Sequence, residues 1–298
     1  MRLFLLGNCQ AKALCEYLQH TPAVTKAFSN ISYNYILDEV ETWDAYAIEH
    51  ADVFVYQHTS AQTLRSKDTS IVKADWTPTA IAERLQNKGC VTISFPSIYF
   101  APYFPFAVST QQAKSSFRTD VASEAFPNWT ISQKFLDLIA QGHSEQEIVK
   151  KVMATDFISA EELDAWVQKT FSNLKQREVI NGVTIPLAEW LLQHWKQKRL
   201  MHITNHPTKH VFVYLLDRLR QVLQSYQIDL PQEVVSTPLC YVDQMEKSGA
   251  PPILPCVLQH FGLSDSSFKH AKIWIHGQEM KDWLEYVRFY VRARLHPK

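Results

Sequence analysis

The residue of this chain best placed for chemistry is Cys9. The run Leu3-Phe4-Leu5-Leu6 stops at Gly7, and Asn8-Cys9-Gln10 leads into a segment with helical apolar spacing at Leu14, Tyr17 and Leu18. A thiol at this turn lies at a helix N-terminus, where the helix dipole and unpaired backbone N–H groups favour the thiolate. Those N–H groups, with the Asn8 and Gln10 amides, can also receive an oxyanion. The competing reading is a small residue packed after a tight turn, the usual fate of cysteine.

Two histidines are candidate bases for that thiol. In Thr204-Asn205-His206-Pro207-Thr208-Lys209-His210, Pro207 is expected in the first turn of a helix, which places His206 near its N-cap. A helix N-terminus disfavours imidazolium, so His206 would stay neutral and able to accept a proton, with Asn205 orienting the ring. The plainer alternative is an Asn-His pair capping an ordinary helix. His58, in Val55-Tyr56-Gln57-His58-Thr59, is the rival base; it and Gln57 lie near Cys9 if their strands are neighbours, and otherwise cap a loop. His202, His206 and His210 are four apart, but Pro207 interrupts the helix that would align them, so no metal is expected.

Ser94-Phe95-Pro96-Ser97-Ile98-Tyr99-Phe100 follows another strand end, and its rings with Tyr103 either line a ligand cleft or pack under a loop. Lys12, Arg65, Lys67, Lys73 and Arg118 are candidate phosphate contacts, although scattered cations are normally solvated surface. Neither a G-x-G-x-x-G nor a Walker sequence is present, so nicotinamide and ATP lack their usual loops.

Gly7-Asn8-Cys9-Gln10 after the first strand, Ser94 to Phe100, and Asn205-His206-Pro207 together make the chain resemble the WcbI-type family of bacterial capsular polysaccharide biosynthesis proteins. The resemblance implies a coenzyme A-binding protein and an acetyltransferase that modifies a capsule sugar, with Cys9 in the cleft beside the coenzyme. The catalytic residues expected are Cys9, His206 and His58; the coenzyme contacts expected are Gly7, Asn8, Gln10, Lys12, Gln57, Tyr99, Tyr103 and Asn205. The turn also resembles that of SGNH-type esterases, but it has Cys in place of Ser, and Ile203 stands where an Asp-x-x-His ending at His206 needs its Asp. A sulfotransferase-like enzyme, a polysaccharide-binding module without catalysis and a thiol-dependent esterase are the alternatives.

Positioning these residues falls to alternating strands and helices. Strands are expected at 2–6, 31–37, 52–56 and 90–95, with helices between, which indicates an α/β fold: a mainly parallel sheet with flanking helices, plus a helical insertion or second layer. The expected division is an α/β domain over 1–125, a helical region over 126–200 and a C-terminal α/β portion over 201–298 packing back on the sheet. In that last portion a strand at 200–204 returns to the sheet, a helix covers 211–223, and a closing helix runs from 278 to 294. Ser144…Glu147 and Ser159…Glu162 have capping-box spacing.

The composition narrows the partners. Thirty Lys and Arg balance thirty Asp and Glu over 298 residues, so no global field directs the chain to nucleic acid. No run approaches the roughly 20 apolar residues of a membrane span, and the apolar start is shorter than a secretory core of roughly 7–15 residues. Five scattered cysteines without a Cys-x-x-Cys pair fit free thiols, so a cytoplasmic protein acting on a small acyl donor and a sugar acceptor is expected.

Overall fold

The structure is a computed structural model; it describes residues 1–59, 64, 74–109, 130–241, 245–246, 250–269, 273–275, 278–280, 284–285 and 288. Arg65, Lys67, Lys73 and Arg118 lie outside the described residues. Contacts divide the chain into two units: Met1–Ile98, Lys175–Glu189 and Lys209–Gln244 form the first, and Tyr99–Leu174, Trp190–Thr208 and Met245–Lys298 the second. The division expected at 125 and 200 is linear, whereas each unit is built from three separate segments.

The first unit carries a four-stranded parallel sheet, with helices on its connections. β1 (Arg2–Gly7), α1 (Cys9–Gln19), α2 (Pro22–Ala27), β2 (Asn30–Tyr35), α3 (Ala45–Glu49), β3 (Val53–Gln57), α4 (Pro78–Gln86) and β4 (Val91–Phe95) follow in sequence. The strand order is β2-β1-β3-β4. Leu5 lies opposite both Tyr33 and Val55, so β1 is central, and its near-continuous apolar run is what a strand covered on both faces requires.

Parallel crossovers are right-handed. The step from β1 to β2 runs one way along the sheet and the steps from β2 to β3 to β4 run the other, so α1 covers one face and α3 and α4 the opposite one. Alternation along the strands agrees. Phe4, Leu6, Phe54 and Tyr56 form one buried cluster with Ile48, Ile81 and Leu85. Gly7, of the opposite parity, turns its Cβ direction towards Gln57 and towards Ala11 of α1.

Thr77 caps α4 by accepting the Ala80 N–H, and Pro78 occupies its first turn. Beside β4, the Ile185 N–H donates to Ser94 O at 2.9 Å and the Thr184 N–H to Ser94 Oγ at 3.0 Å, so the 184–185 segment shields that sheet edge. The Lys209–Ser225 helix buries Phe212 against Tyr17 of α1, with ring centroids 5.2 Å apart.

The second unit is mainly helical, and both expected capping boxes form. Ser144 Oγ and Glu147 exchange bonds with each other's backbone, as do Ser159 and Glu162. Its core gathers Phe100, Tyr103, Phe171, Trp195, Phe261 and Phe268. Met201–Ile203 does form a strand, but it pairs antiparallel with His206–Pro207 and not with the four-stranded sheet. Thr204-Asn205 is turn chemistry that folds the segment back on itself before it can extend. The closing helix expected over 278–294 does not begin at 278, because Gln278–Met280 pairs antiparallel with Ile273–Ile275; among the described residues further along, 284, 285 and 288 are helical.

Candidate active site at the end of strand 1

In a sheet ordered β2-β1-β3-β4 the chain reverses direction between β1 and β3. Ligands of open α/β sheets bind beyond the strand carboxyl ends at such a switch point. Gly7-Asn8-Cys9-Gln10 ends β1 there, and Gln57-His58 ends β3.

The turn is fixed by three side-chain amides. Asn8 is the N-cap of α1: its Oδ1 accepts the Gln10 N–H at 2.9 Å, and its Nδ2 donates to Ser97 Oγ at 3.2 Å. The Asn8 N–H donates to Gln57 Oε1 at 2.8 Å. Gln57 Nε2 donates to Gln10 Oε1 at 2.9 Å, and Gln10 Nε2 donates to Ile98 O at 2.8 Å while the Ile98 N–H returns to Gln10 Oε1 at 2.9 Å. These bonds tie the ends of β1 and β3 to the segment after β4. Gly7 is required by space, because a Cβ there would stand 2.4 Å from Gln57 Oε1 and 2.6 Å from the Ala11 Cβ.

Several expected coenzyme contacts are therefore corrected. Gln10 and Gln57 are 0% and 1% exposed, and their amides face each other and the backbone, so they hold the turn instead of meeting a ligand. The Gln10 amide is likewise not available to an oxyanion. Gly7 is buried beneath Gln57. Tyr103, 0% exposed, belongs to the core of the second unit, where its O–H donates to Trp195 O at 2.6 Å and accepts the Leu200 N–H at 3.3 Å. Tyr99, 46% exposed, is on the surface.

Cys9 is the first residue of α1 and is half-buried, whereas Cys15, Cys90 and Cys256 are buried and Cys240 is exposed. The expectation of a favoured thiolate is reversed. Burial raises the thiol's pKa, and the N–H groups of Cys9 and Gln10, which lower it, offset only part of that rise. Three residues along α1, the Lys12 side chain is exposed.

His58 follows β3, the strand that neighbours β1. Its ring lies 5.2 Å from that of Tyr56, on the face of α4, and Nδ1 is 3.3 Å from Thr79 Oγ1. Nε2 is buried with no hydrogen-bond partner among the described residues. Burial lowers the pKa, so the ring is neutral near pH 7. No hydrogen bond joins it to Cys9 among the described residues.

His206 does not stand at a helix N-cap. It pairs with Ile203 in the short strand, Asn205 lies in the tight turn before it, and the helix begins only at Lys209. His206 therefore lacks the helix N-terminus expected to act on its ring. Pro207 continues the strand because its fixed φ suits extended backbone as well as a first helical turn. Arg199 holds this hairpin from within the second unit. Its buried guanidinium donates to Met201 O, His202 O and Pro251 O at 2.9, 3.0 and 2.7 Å.

Motif reading missed Tyr33, Ser97 and Arg199. Ser97 was inside a quoted motif; Tyr33 and Arg199 carried no local signal. No group of three or more His, Cys, Asp or Glu side chains is placed to hold a metal among the described residues.

Fold and turn thus define an open parallel α/β protein with a cysteine at its switch point. The model of the family described as polysaccharide biosynthesis enzyme WcbI matches residues 2–227, and the chain belongs to that family. No curated protein sequence matches it. Among solved structures it is similar to a WcbI described as a novel polysaccharide biosynthesis enzyme, in its native form without a disulfide bond between coenzyme A and one of its cysteines. The identity is 15%, the match covers 99% of this chain and 88% of that one, and the TM-score is 0.64.

Proposed function

We propose that the chain is a coenzyme A-dependent acetyltransferase that modifies a sugar hydroxyl in polysaccharide biosynthesis, with Cys9 as its central residue. The half-buried thiol at the start of α1, at the switch point between β1 and β3, carries this reading. Membership of a family of polysaccharide biosynthesis enzymes supports the process, and the similar WcbI structure, distinguished by the absence of a disulfide bond between coenzyme A and one of its cysteines, supports the coenzyme.

The side chains suit such a ligand. Cys9 offers a thiol of the same chemistry as the coenzyme's own, and the exposed Lys12 ammonium, three residues along the same helical face, suits a phosphate. Acetyl-CoA supplies an activated acetyl thioester. Cys9 gives its proton to a base and takes the acetyl group, and the base returns that proton to the coenzyme, which leaves as its thiol. The sugar hydroxyl then attacks the acetyl thioester on Cys9, and its proton passes through the same base to the departing Cys9 sulfur. His58, neutral and with Nε2 unpartnered among the described residues, is the first candidate for that base. In the second route the base deprotonates the sugar for direct attack, and Cys9 only lines the site. His206 is the alternative base.

Incubation with acetyl-CoA followed by mass analysis of the Cys9 peptide separates the two routes. An added acetyl group, and loss of turnover in Cys9→Ala, are expected. Full activity in Cys9→Ala refutes the covalent route. His58→Ala and His206→Ala assign the base, and coenzyme A titration of Lys12→Ala, Tyr99→Ala and Asn205→Ala tests the remaining contacts.

A further inference from the structure

Tyr33 lies on β2 opposite Leu5. Its hydroxyl is 3.1 Å from Gly7 O and 3.2 Å from Asn8 O, the two carbonyls that flank the turn into Cys9. Both contacts are long for an O–H···O bond, whose usual length is about 2.7–2.8 Å, and a single phenol proton serves both acceptors. Neither carbonyl depends on it. Gly7 O already accepts the Ile36 N–H at 2.8 Å, and Asn8 O accepts the Lys12 N–H at 3.1 Å. A hydroxyl whose purpose was to satisfy buried carbonyls would be held short and would leave them unpaired on removal. Here neither condition holds.

We infer that the Tyr33 hydroxyl is a hydrogen-bond donor of the Cys9 site, turning from the two carbonyls to negative charge as it develops on the Cys9 sulfur. The inference deepens the reading of Cys9 as the reactive residue and rests on it. No proton is transferred: the O–H keeps its hydrogen and redirects it from two weak acceptors to one charged acceptor, where the bond is stronger. Burial is the main reason the phenol stays protonated. Tyr35, a charge on Cys9, Asp38 and Cys15 add to that effect in this order.

The test is Tyr33→Phe in the full chain, with iodoacetamide alkylation of the Cys9 peptide followed by mass from pH 7 to 11. The midpoint of the rate profile is expected to rise by about half to one pH unit, the effect of losing one hydrogen bond to a partly solvated anion. An unchanged midpoint overturns the inference. Amide exchange at Ile36 and Lys12 is expected to stay as protected as in the parent; faster exchange there would make Tyr33 a structural cap and overturn it too. A measurement on the unaltered ring covers the case of a variant that does not fold. The Tyr33 Cζ resonance is expected to follow the Cys9 titration in the parent and to lose that response in Cys9→Ser; a resonance indifferent to Cys9 overturns the inference. None of these readouts uses turnover, so they stay distinct from failure of the acetyltransferase reading, which Cys9→Ala decides.

Discussion

Replacing Gly7 by Ala is expected to damage the turn through Gln57 and not through Gly7's own backbone. The added methyl would stand 2.4 Å from Gln57 Oε1 and 2.6 Å from the Ala11 Cβ, well inside contact distance. Gln57 is 1% exposed and has no solvent-facing space into which to retreat. Its displacement breaks the 2.8 Å bond from the Asn8 N–H and the 2.9 Å bond to Gln10 Oε1. Leaving two buried polar groups unsatisfied costs about 1–3 kcal/mol each, and overpacking costs a similar amount, so a loss of at least about 3 kcal/mol is expected. Urea unfolding measures it. The double variant Gly7→Ala/Gln57→Ala removes the clash with Gln57 but leaves the one with the Ala11 Cβ, so its cost is expected to exceed that of Gln57→Ala alone yet fall short of the sum of the two single variants, a coupling that a double-mutant cycle reads directly. A Gly7→Ala variant within 1 kcal/mol of the parent, or a strictly additive cycle, refutes the amide-clamp account.

Tyr103→Phe is expected to lower stability by about 1–2 kcal/mol while coenzyme A affinity stays unchanged, because its hydroxyl serves the backbone of the second unit; weaker coenzyme binding in calorimetry would return Tyr103 to the site. Burial pushes the Cys15 and Cys90 thiols up to about 12 from an ordinary 9.0. The fold therefore prefers their neutral forms: that stability is full below pH 9 and declines as pH climbs from about 9 towards 12. Urea midpoints over that range should fall, and Cys15→Ala/Cys90→Ala should flatten the decline; an equal slope in the variant contradicts it. His58 is depressed by burial, so its contribution is present above about pH 6.5 and is lost as pH falls below that. A ring titration by NMR with a midpoint at or above 6.5 would show that reasoning to be mistaken. Arg199→Met strands three buried carbonyls and is expected to destabilise by about 3 kcal/mol or more in thermal or urea unfolding; a loss under 1 kcal/mol would mean that water or neighbouring donors satisfy them.

The sheet was legible because its strands are short apolar runs separated by punctuation, and the four expected strands match the observed ones to within two residues at each end. The cysteine turn was legible for the same reason, since Gly7 interrupts the run and Asn8 is a preferred cap. Side-chain roles inside the turn were less so. Gln10 and Gln57 are polar residues beside a reactive type, and only coordinates reveal that each satisfies the other. The proton affinity of Cys9 was misread because the dipole is local to the sequence while burial depends on distant segments. His206 was misplaced because Pro207 is compatible with an extended strand as well as with a first helical turn, and pairing with Met201–Ile203 decided between them. Tyr33 carries no signal in the sequence, because its distance along the chain from Gly7 and Asn8 hides the approach of its hydroxyl to their carbonyls.

The frame around Cys9 is made of glutamine and asparagine amides, serine and backbone, none of which gains or loses a proton between acid and alkaline pH. A scaffold of carboxylates and ammonium groups would rearrange as it titrated and blur any activity profile. This clamp adds no inflection of its own to a rate-against-pH curve, so below about pH 9, where the Cys15 and Cys90 thiols stay neutral, the inflections report the reacting groups.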